Sequence, residues 1–522
     1  MHRHPARAFA RPARTPWAAA LAIVLLGALT ACVRTGSAGA PIDFKPSPVP
    51  TAEAPRGGGA LRLVAPGMPV LDVVPERPLY TMNVTLDYAT NDVRAQEKVE
   101  FRNPTGAPAA EIKFNVALNH DAGLIDVKDA RIFGQPKPLT YVLSSTVLTV
   151  KLPAPLGPDD GIALAFDFII KIPLQEHVTG IGGDDSSHGP GSLTVGHWYI
   201  MLAPYIGGKW ITPAYVPVGD PYAEVLADYE VSFLAPENIV IAGAGDAQHH
   251  GRLWQFSLQK ARVFAFSASD RYLVDSIDQD GVTYTMYSYP AHRKFAEAVL
   301  YTAARAVKLY SQLYGGPYPY KTLRIVETAR AQGQEYSGLV GIGTALFSGY
   351  PGRGSRHDLI STTAHEVAHQ WWFQQVGNEQ PMTPWLDEAF ARLSEMRFYE
   401  KYYPNDAGWW YKYYIAGAQA PKGSIDLSIY EYADSRAYTD AVYRRGLMFL
   451  SAVRNTMGTA AFDAAMQDYY NAELYKVTRT AAFFDALARH TDKDLSALVK
   501  AYFAGVMALP CRISNNAPGC RR

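Results

Sequence analysis

The sequence predicts several folded parts in series: an N-terminal, mostly antiparallel β domain, then an α+β domain whose second half is largely helical. Three observations predict it. At 522 residues, 48% of them hydrophobic and 12% aromatic, the chain is long enough for two cores. Between about 70 and 270, apolar and polar residues alternate in short runs broken by Gly, Pro, Asn and Asp, the period of strands buried on one face. After about 281 the period lengthens towards that of helices.

The β region is read from "TMNVTLDYAT", "STVLTVKL", "GIALAFDFIIKI", "DYEVSFLAP", "NIVIAGAG" and "RVFAFSAS". One further strand, "GVTYTMYSY", leads into the helical stretch "AHRKFAEAVLYTAARAVKLYSQLYG", which stops at Gly315 and Pro317. Then come a strand ("TLRIVET"), a Gly-rich strand-like stretch ("GLVGIGTALF"), a helix over 361–374, another from about Trp385, and helical segments to about 506. The expected boundaries are 70–275 for the β domain, 276–510 for the α+β domain and 511–522 for a tail.

The first residues stand apart. Arg3, Arg7, Arg11 and Arg14, with no acid among them, precede an apolar run from Trp17 to Leu29 and then Leu29-Thr30-Ala31-Cys32. The run is too short to cross ~30 Å of hydrocarbon as a helix, so 1–31 reads as a signal peptide. Its ending resembles a bacterial lipobox, which makes Cys32 the lipidated first residue of an exported, membrane-anchored lipoprotein. Val33 is not an aspartate, which favours the outer membrane in a Gram-negative cell. From Val33 to about Gly59 the composition turns to Pro, Gly, Ala and Ser, so 32–69 reads as anchor and linker. A coil of that length reaches on the order of 30 Å from the membrane. Cys511 and Cys520 remain for an exported protein, and a disulfide between them is the favoured reading, two free thiols the alternative.

Lys and Arg number 49 against 49 Asp and Glu, with no long run of either sign. That excludes nucleic acid as a partner and leaves peptides or small molecules.

The chemistry lies in "STTAHEVAHQWWFQQVGN", residues 361–378. On a helix, His365 and His369 are one turn apart on one face, so both imidazoles reach a single ion at ~2.0–2.1 Å. Glu366 then overhangs the ion's water. A catalytic zinc takes three protein ligands and an open position. Glu388, nineteen positions after His369 with eighteen residues between, on the next helix, "WLDEAFARLSEMRFYEKYY", is the candidate third. A chance His-Glu-x-x-His is expected roughly once in fifty chains of this kind, and a correctly placed later Glu makes coincidence rarer still.

"HEVAH" in "HEVAHQWW", then eighteen residues, then Glu in "WLDEAFA" resembles the aminopeptidase N-like (gluzincin) zinc metallopeptidases, which include the leukotriene hydrolases. "GPYPYKTLRIVE", "GQEYSGLV" and "AYTDAVYRRGLMFL" resemble further family segments in the same order. The resemblance covers about 75 to 505 and has no counterpart for the long C-terminal helical domain of many members. It implies a β domain followed by a thermolysin-like catalytic domain, with one Zn²⁺ on His365, His369 and Glu388. It further implies Glu366 as general base, Tyr443 as oxyanion donor, and Glu335 and Tyr438 as substrate-binding residues. The segment around Glu335 departs from the family pattern, with Gln334, Tyr336 and Ser337 at positions where other residues are usual. The family's β-domain glutamine has no counterpart here, so the resemblance assigns no residue of that domain to the cleft. The expected activity is a zinc-dependent aminopeptidase acting on peptides; the alternatives are an endopeptidase of the same fold and a non-catalytic zinc-binding surface lipoprotein.

Overall fold

The computed structural model describes residues 61–64, 68–175, 181–182, 186–417, 419–505 and 507–514. The leader, Cys32, residues 33–60 of the expected linker and Cys520 lie outside the described residues; the end of the stretch expected as linker to residue 69 is instead strand, Leu61–Val64 pairing antiparallel with Met68–Leu71. All described residues belong to one of two compact units, Pro48–Arg522.

Strand Leu79–Asp87 shows how the first half folds. Tyr80, Met82, Val84 and Leu86 point into the core while Asn83, Thr85 and Asp87 face water, as a period of two requires. It pairs antiparallel with Asp92–Arg102, which pairs with Gly161–Lys171. Its other edge takes Ala227–Leu234 in parallel, the one departure from the antiparallel expectation along this part of the sheet. These strands sit in a nine-stranded sheet. Two four-stranded sheets lie in the same half, and the buried faces share one core that includes Trp198, Tyr199, Tyr229 and Phe233. Each fully buried large apolar side chain contributes roughly 1.5–3 kcal/mol.

A five-stranded mixed sheet follows, in the spatial order Leu273–Gln279, Val282–Ser288, Thr322–Thr328, Leu339–Gly343, Gly333–Tyr336. Its first strand straddles the expected boundary between 275 and 276. Sequence reading missed it because it is a half-exposed edge without hydrophobic alternation. Helix α1, Ala296–Tyr314, ends at Gly315 as its sequence predicts. The Tyr310 hydroxyl of α1 donates to the Ala364 carbonyl of helix α2, Asp358–Ala368, at 3.0 Å.

Helix α2 is shorter than the expected 361–374 and starts earlier. Its last turn ends at Ala368, and Phe373 turns the chain with φ 128°. His369 keeps helical angles, φ −64° and ψ −11°, so the one-turn relation to His365 survives. Trp371 and Trp372 are fully buried, and their indole N–H groups donate to the Gly316 carbonyl at 3.1 Å and to Ser394 Oγ at 3.2 Å.

Ser394 belongs to helix α3, Trp385–Tyr402, buried on nearly every side. Trp385 at its first position meets Phe449, Phe483 and Phe503 edge-on, with ring centroids 5.9, 5.7 and 5.5 Å away. Those rings come from the later helical part, so the end of the chain fixes the start of α3. Arg262 joins the two halves: its Nε donates to the Phe373 carbonyl at 2.5 Å and its Nη2 to the Lys476 carbonyl at 2.8 Å. Cys511 is disulfide-bonded. Among the described residues no helix is long and apolar enough to cross a membrane.

Replacing Trp385 by Ala removes the ring on which that aromatic cluster closes. The expected loss is about 3–5 kcal/mol of stability, read as a lower urea midpoint of unfolding.

Candidate metal centre

The start of α3 is brought against the end of α2, and the polar groups that meet there are buried. His365 Nε2 is 3.2 Å from Glu388 Oε2 and 3.3 Å from His369 Nε2, while His369 Nε2 is 3.6 Å from the same carboxylate oxygen. Three ligands bound at ~2.0–2.1 Å around a tetrahedral ion stand about 3.3–3.4 Å apart. The three atoms therefore already have the spacing a zinc-sized cation requires, and the donor set of two imidazoles and one carboxylate matches it.

The outer nitrogens of both rings face carboxylates. His369 Nδ1 lies 2.6 Å from Asp387 Oδ1 and 3.1 Å from the Trp372 carbonyl. His365 Nδ1 lies 3.3 Å from Glu395 Oε2, an ionic contact without hydrogen-bond geometry. Such partners hold a proton on Nδ1 and turn the Nε2 lone pairs towards a metal. Asp387 is held in turn by Gln380 Nε2 at 2.9 Å. Glu395 accepts from Ser361, from Trp410 Nε1 at 2.6 Å and from Arg392 Nη1 at 2.6 Å.

Further carboxylates crowd the same space. Glu335, His369 and Asp387 offer atoms all within 4.8 Å of one another, and so do Asp220, Glu335 and Glu388. Glu335 stands on the edge strand Gly333–Tyr336, which is fixed to the end of α2 because Gln370 donates to the Tyr336 carbonyl at 2.8 Å and accepts from the Gly338 N–H at 2.9 Å. Asp220 comes from the β half. Gly219 before it, at φ +61°, lies against Tyr438, and a Cβ there would meet the Tyr438 ring at 2.9 Å. Gly333 has a similar role, since a Cβ would fall 2.1 Å from Glu366 Oε1.

This crowding sets the proton affinities. Burial raises the Glu366 carboxyl to about 6; His365 and His369 oppose the rise and Glu388 adds to it. Burial also pushes Glu335 and Asp220 well above the usual carboxylate range, with Glu388 adding to both. Glu388 moves the other way: burial opposes its ionisation, but His369, His365 and the Tyr443 hydrogen bond outweigh it and bring it to about 2. Burial disfavours a charged His369, yet Asp387, Glu335 and Glu388 overcome it and raise its pKa well above the ordinary value. A divalent cation answers the same negative charge by displacing that proton.

Tyr443 lies in a π-helical turn, Thr439–Arg445, and its hydroxyl donates to Glu388 Oε1 at 2.5 Å. Its ring is 5.9 Å from that of His365. Tyr438 is fully buried, 5.7 Å from the Tyr443 ring, and among the described residues its hydroxyl has no hydrogen-bond partner. His365, Glu366, His369, Glu388, Glu335, Tyr438 and Tyr443 are thus brought together.

Sequence reading did not select Asp220, Asp387, Arg392 or Glu395. Three of them carried a signal, since Asp387 adjoins Glu388, and Arg392 and Glu395 follow it at helical spacings of four and seven. Asp220 had none, being 145 positions before His365. Asp387→Ala is expected to weaken Zn²⁺ binding about 10–100-fold, with Asp387→Asn losing less, read by competition with a chromophoric chelator.

Residues 299–502 match the Peptidase family M1 domain. The chain is 26% identical over 252 residues to an aminopeptidase N of Lactobacillus delbrueckii subsp. lactis, an alignment covering 45% of this chain and 30% of that protein. It is 25% identical over 238 residues to human endoplasmic reticulum aminopeptidase 1, covering 43% of this chain and 25% of the relative. These alignments span about a quarter to a third of the relatives' length. In fold, an M1 zinc metallopeptidase variant of Deinococcus radiodurans, solved bound to a Tyr-Ser-Ala substrate, aligns with TM-score 0.60 at 17% identity over 83% of this chain and 96% of that one. The family match falls on the segment that carries both histidines, Glu388 and Tyr443, and the fold likeness, a likeness of architecture alone, also takes in the β half. Over residues 299–502 the chain is thus similar to the Peptidase family M1 domain, and over most of its length it shares the fold of M1 zinc metallopeptidases.

Proposed function

We propose that the protein is a zinc-dependent aminopeptidase that removes N-terminal residues from peptides, with one zinc per chain. The observation that carries this reading is the carboxylate pair of Asp220 and Glu335, set beside the His365–His369–Glu388 triad within 4.8 Å of Glu388. Once a cation has taken Glu388, buried Glu335 and half-buried Asp220 remain side by side, an arrangement that calls for a second positive charge. A substrate's α-ammonium supplies it, and a blocked or internal amide does not.

Zinc held by the triad supplies Lewis acidity for the scissile carbonyl and for the attacking water. Glu366, adjacent to His365 and free of the ligand set, accepts the water's proton and passes it to the leaving amine. The pKa of about 6 that burial gives this carboxyl suits both directions of transfer. Tyr443 is the hydroxyl donor nearest the triad, available to an oxyanion developing on the carbonyl, a role worth about 2.7–4 kcal/mol for a single donor elsewhere. Tyr438 backs Gly219, and so the position of Asp220, and its hydroxyl, without a partner among the described residues, is the group it offers to substrate.

Glu366→Gln is expected to keep zinc and lose at least about 10²-fold in kcat. Asp220→Asn and Glu335→Gln are expected to raise KM for aminoacyl amides about tenfold or more, the cost of one charge-assisted hydrogen bond. Activity on N-acetylated peptides equal to that on free-amine peptides would replace this reading by the endopeptidase one. Metal binding without cleavage of either set would leave the non-catalytic lipoprotein.

We also read residues 1–31 as a lipoprotein signal peptide and Cys32 as the lipidated residue that follows it, with the enzyme anchored on the periplasmic or cell-surface side, at the outer membrane in a Gram-negative cell. The sequence pattern is its support. Cys32→Ser is expected to abolish incorporation of labelled palmitate and to release the protein from the membrane fraction.

A further inference from the structure

The charge around the candidate metal centre is lopsided. Asp220, Glu335 and Asp387 gather on the His369 side. On the His365 side stands Arg392, four residues after Glu388 and so on the same face of α3. Its guanidinium lies 5.4 Å over the ring of Tyr443 and 5.6 Å from that of Tyr414, and its charge acts on His365, Glu366 and Glu388.

Arg392 is not used up by its partner. Among the described residues only Nη1 is hydrogen-bonded, to Glu395 Oε2 at 2.6 Å, which leaves Nε and Nη2 without partners, and the side chain keeps 20% of its surface exposed. Glu395 is shared, since it also receives Ser361, Trp410 and the ionic contact from His365. A guanidinium with two spare donors is a bidentate receptor for a carboxylate.

A substrate whose α-ammonium lies between Asp220 and Glu335, with its scissile carbonyl at the triad, continues past His365 towards Arg392. Its next residue advances by about 3.3–3.6 Å of extended chain. We propose that Arg392 is a specificity residue that binds a carboxylate carried by the residue immediately after the scissile bond. That carboxylate is either the free C-terminus of a dipeptide or an Asp or Glu side chain at that position. The proposal rests on the aminopeptidase reading, which orients the peptide.

Four peptides test it on the zinc-loaded full chain: Leu-Ala, Leu-Ala-amide, Leu-Glu-amide and Leu-Gln-amide, followed by release of leucine. A terminal carboxylate partner gives Leu-Ala at least about tenfold higher kcat/KM than its amide; a side-chain partner gives the same ratio for Leu-Glu-amide over Leu-Gln-amide. Arg392→Met is expected to bring the favoured ratio to within about twofold and Arg392→Lys to retain part of it. Wild-type ratios near one in both pairs overturn the proposal, and so does a preference that survives Arg392→Met, which would place the carboxylate on the metal.

Calorimetric binding of the same peptides to zinc-loaded Glu366→Gln gives a readout independent of turnover. A carboxylate preference in binding without hydrolysis by the wild type overturns the aminopeptidase reading and keeps the Arg392 assignment. Hydrolysis of all four without preference does the reverse, and neither binding nor hydrolysis overturns both.

Discussion

The approach of Glu388 to His365 and His369 is the contact on which the rest depends. It puts a carboxylate 3.2 Å from one imidazole and 3.6 Å from the other inside the protein, where an unpaired charge costs several kcal/mol. Around it stand Asp220, Glu335, Glu366, Asp387 and Glu395, with the guanidinium of Arg392 beside Glu395. Such a cluster is stable only if protons or cations answer it. The upward-shifted proton affinities of Glu335, Asp220 and His369 are one such answer; under the proposed function a divalent ion and an ammonium-bearing substrate are the other.

The scaffold reads as the means of holding that contact. Helix α2 is pinned from behind by Tyr310 and by the two indoles that follow it, while α3 is pinned at its first residue by rings from the late helices. Neither helix could place its ligand alone, because the ligand atoms face each other across the joint. The carboxylates behind the histidines then set which nitrogen of each ring is available, which the ligands themselves cannot do. Glycine at 333 lets an edge strand come close enough for Glu335 and Glu366 to share the space.

The β half contributes more than a platform. Through Gly219 it delivers Asp220 beside Glu335, so the acidic end of the site is assembled from both halves. Arg262, bonded to carbonyls of Phe373 and Lys476, holds the halves in the register that this requires. The opposite end is made by α3 alone, through Arg392 and the shared Glu395. Polarity along the site thus follows from which elements meet on each side of the triad.

The sequence by itself determined the order of the two parts, a minority of the strands, the end of α1, helix α3 to within a residue or two, and the grouping of the triad with Glu366. Each of these rests on short-range periodicity, or on ligands whose spacing along a helix equals their spacing in space. Glu335 and Tyr443 were legible only through resemblance to a family, since a lone acid on a strand and one tyrosine among 33 carry no local signal. The end of α2 at Ala368, the edge strand at Leu273 and the approach of Asp220 were decided by tertiary structure. In each, the deciding contact joins residues far apart in the chain, or depends on how a half-exposed strand meets its neighbour. The balance of charge around the metal site was decided there too, because proton affinities follow from burial and from neighbours that only packing brings together.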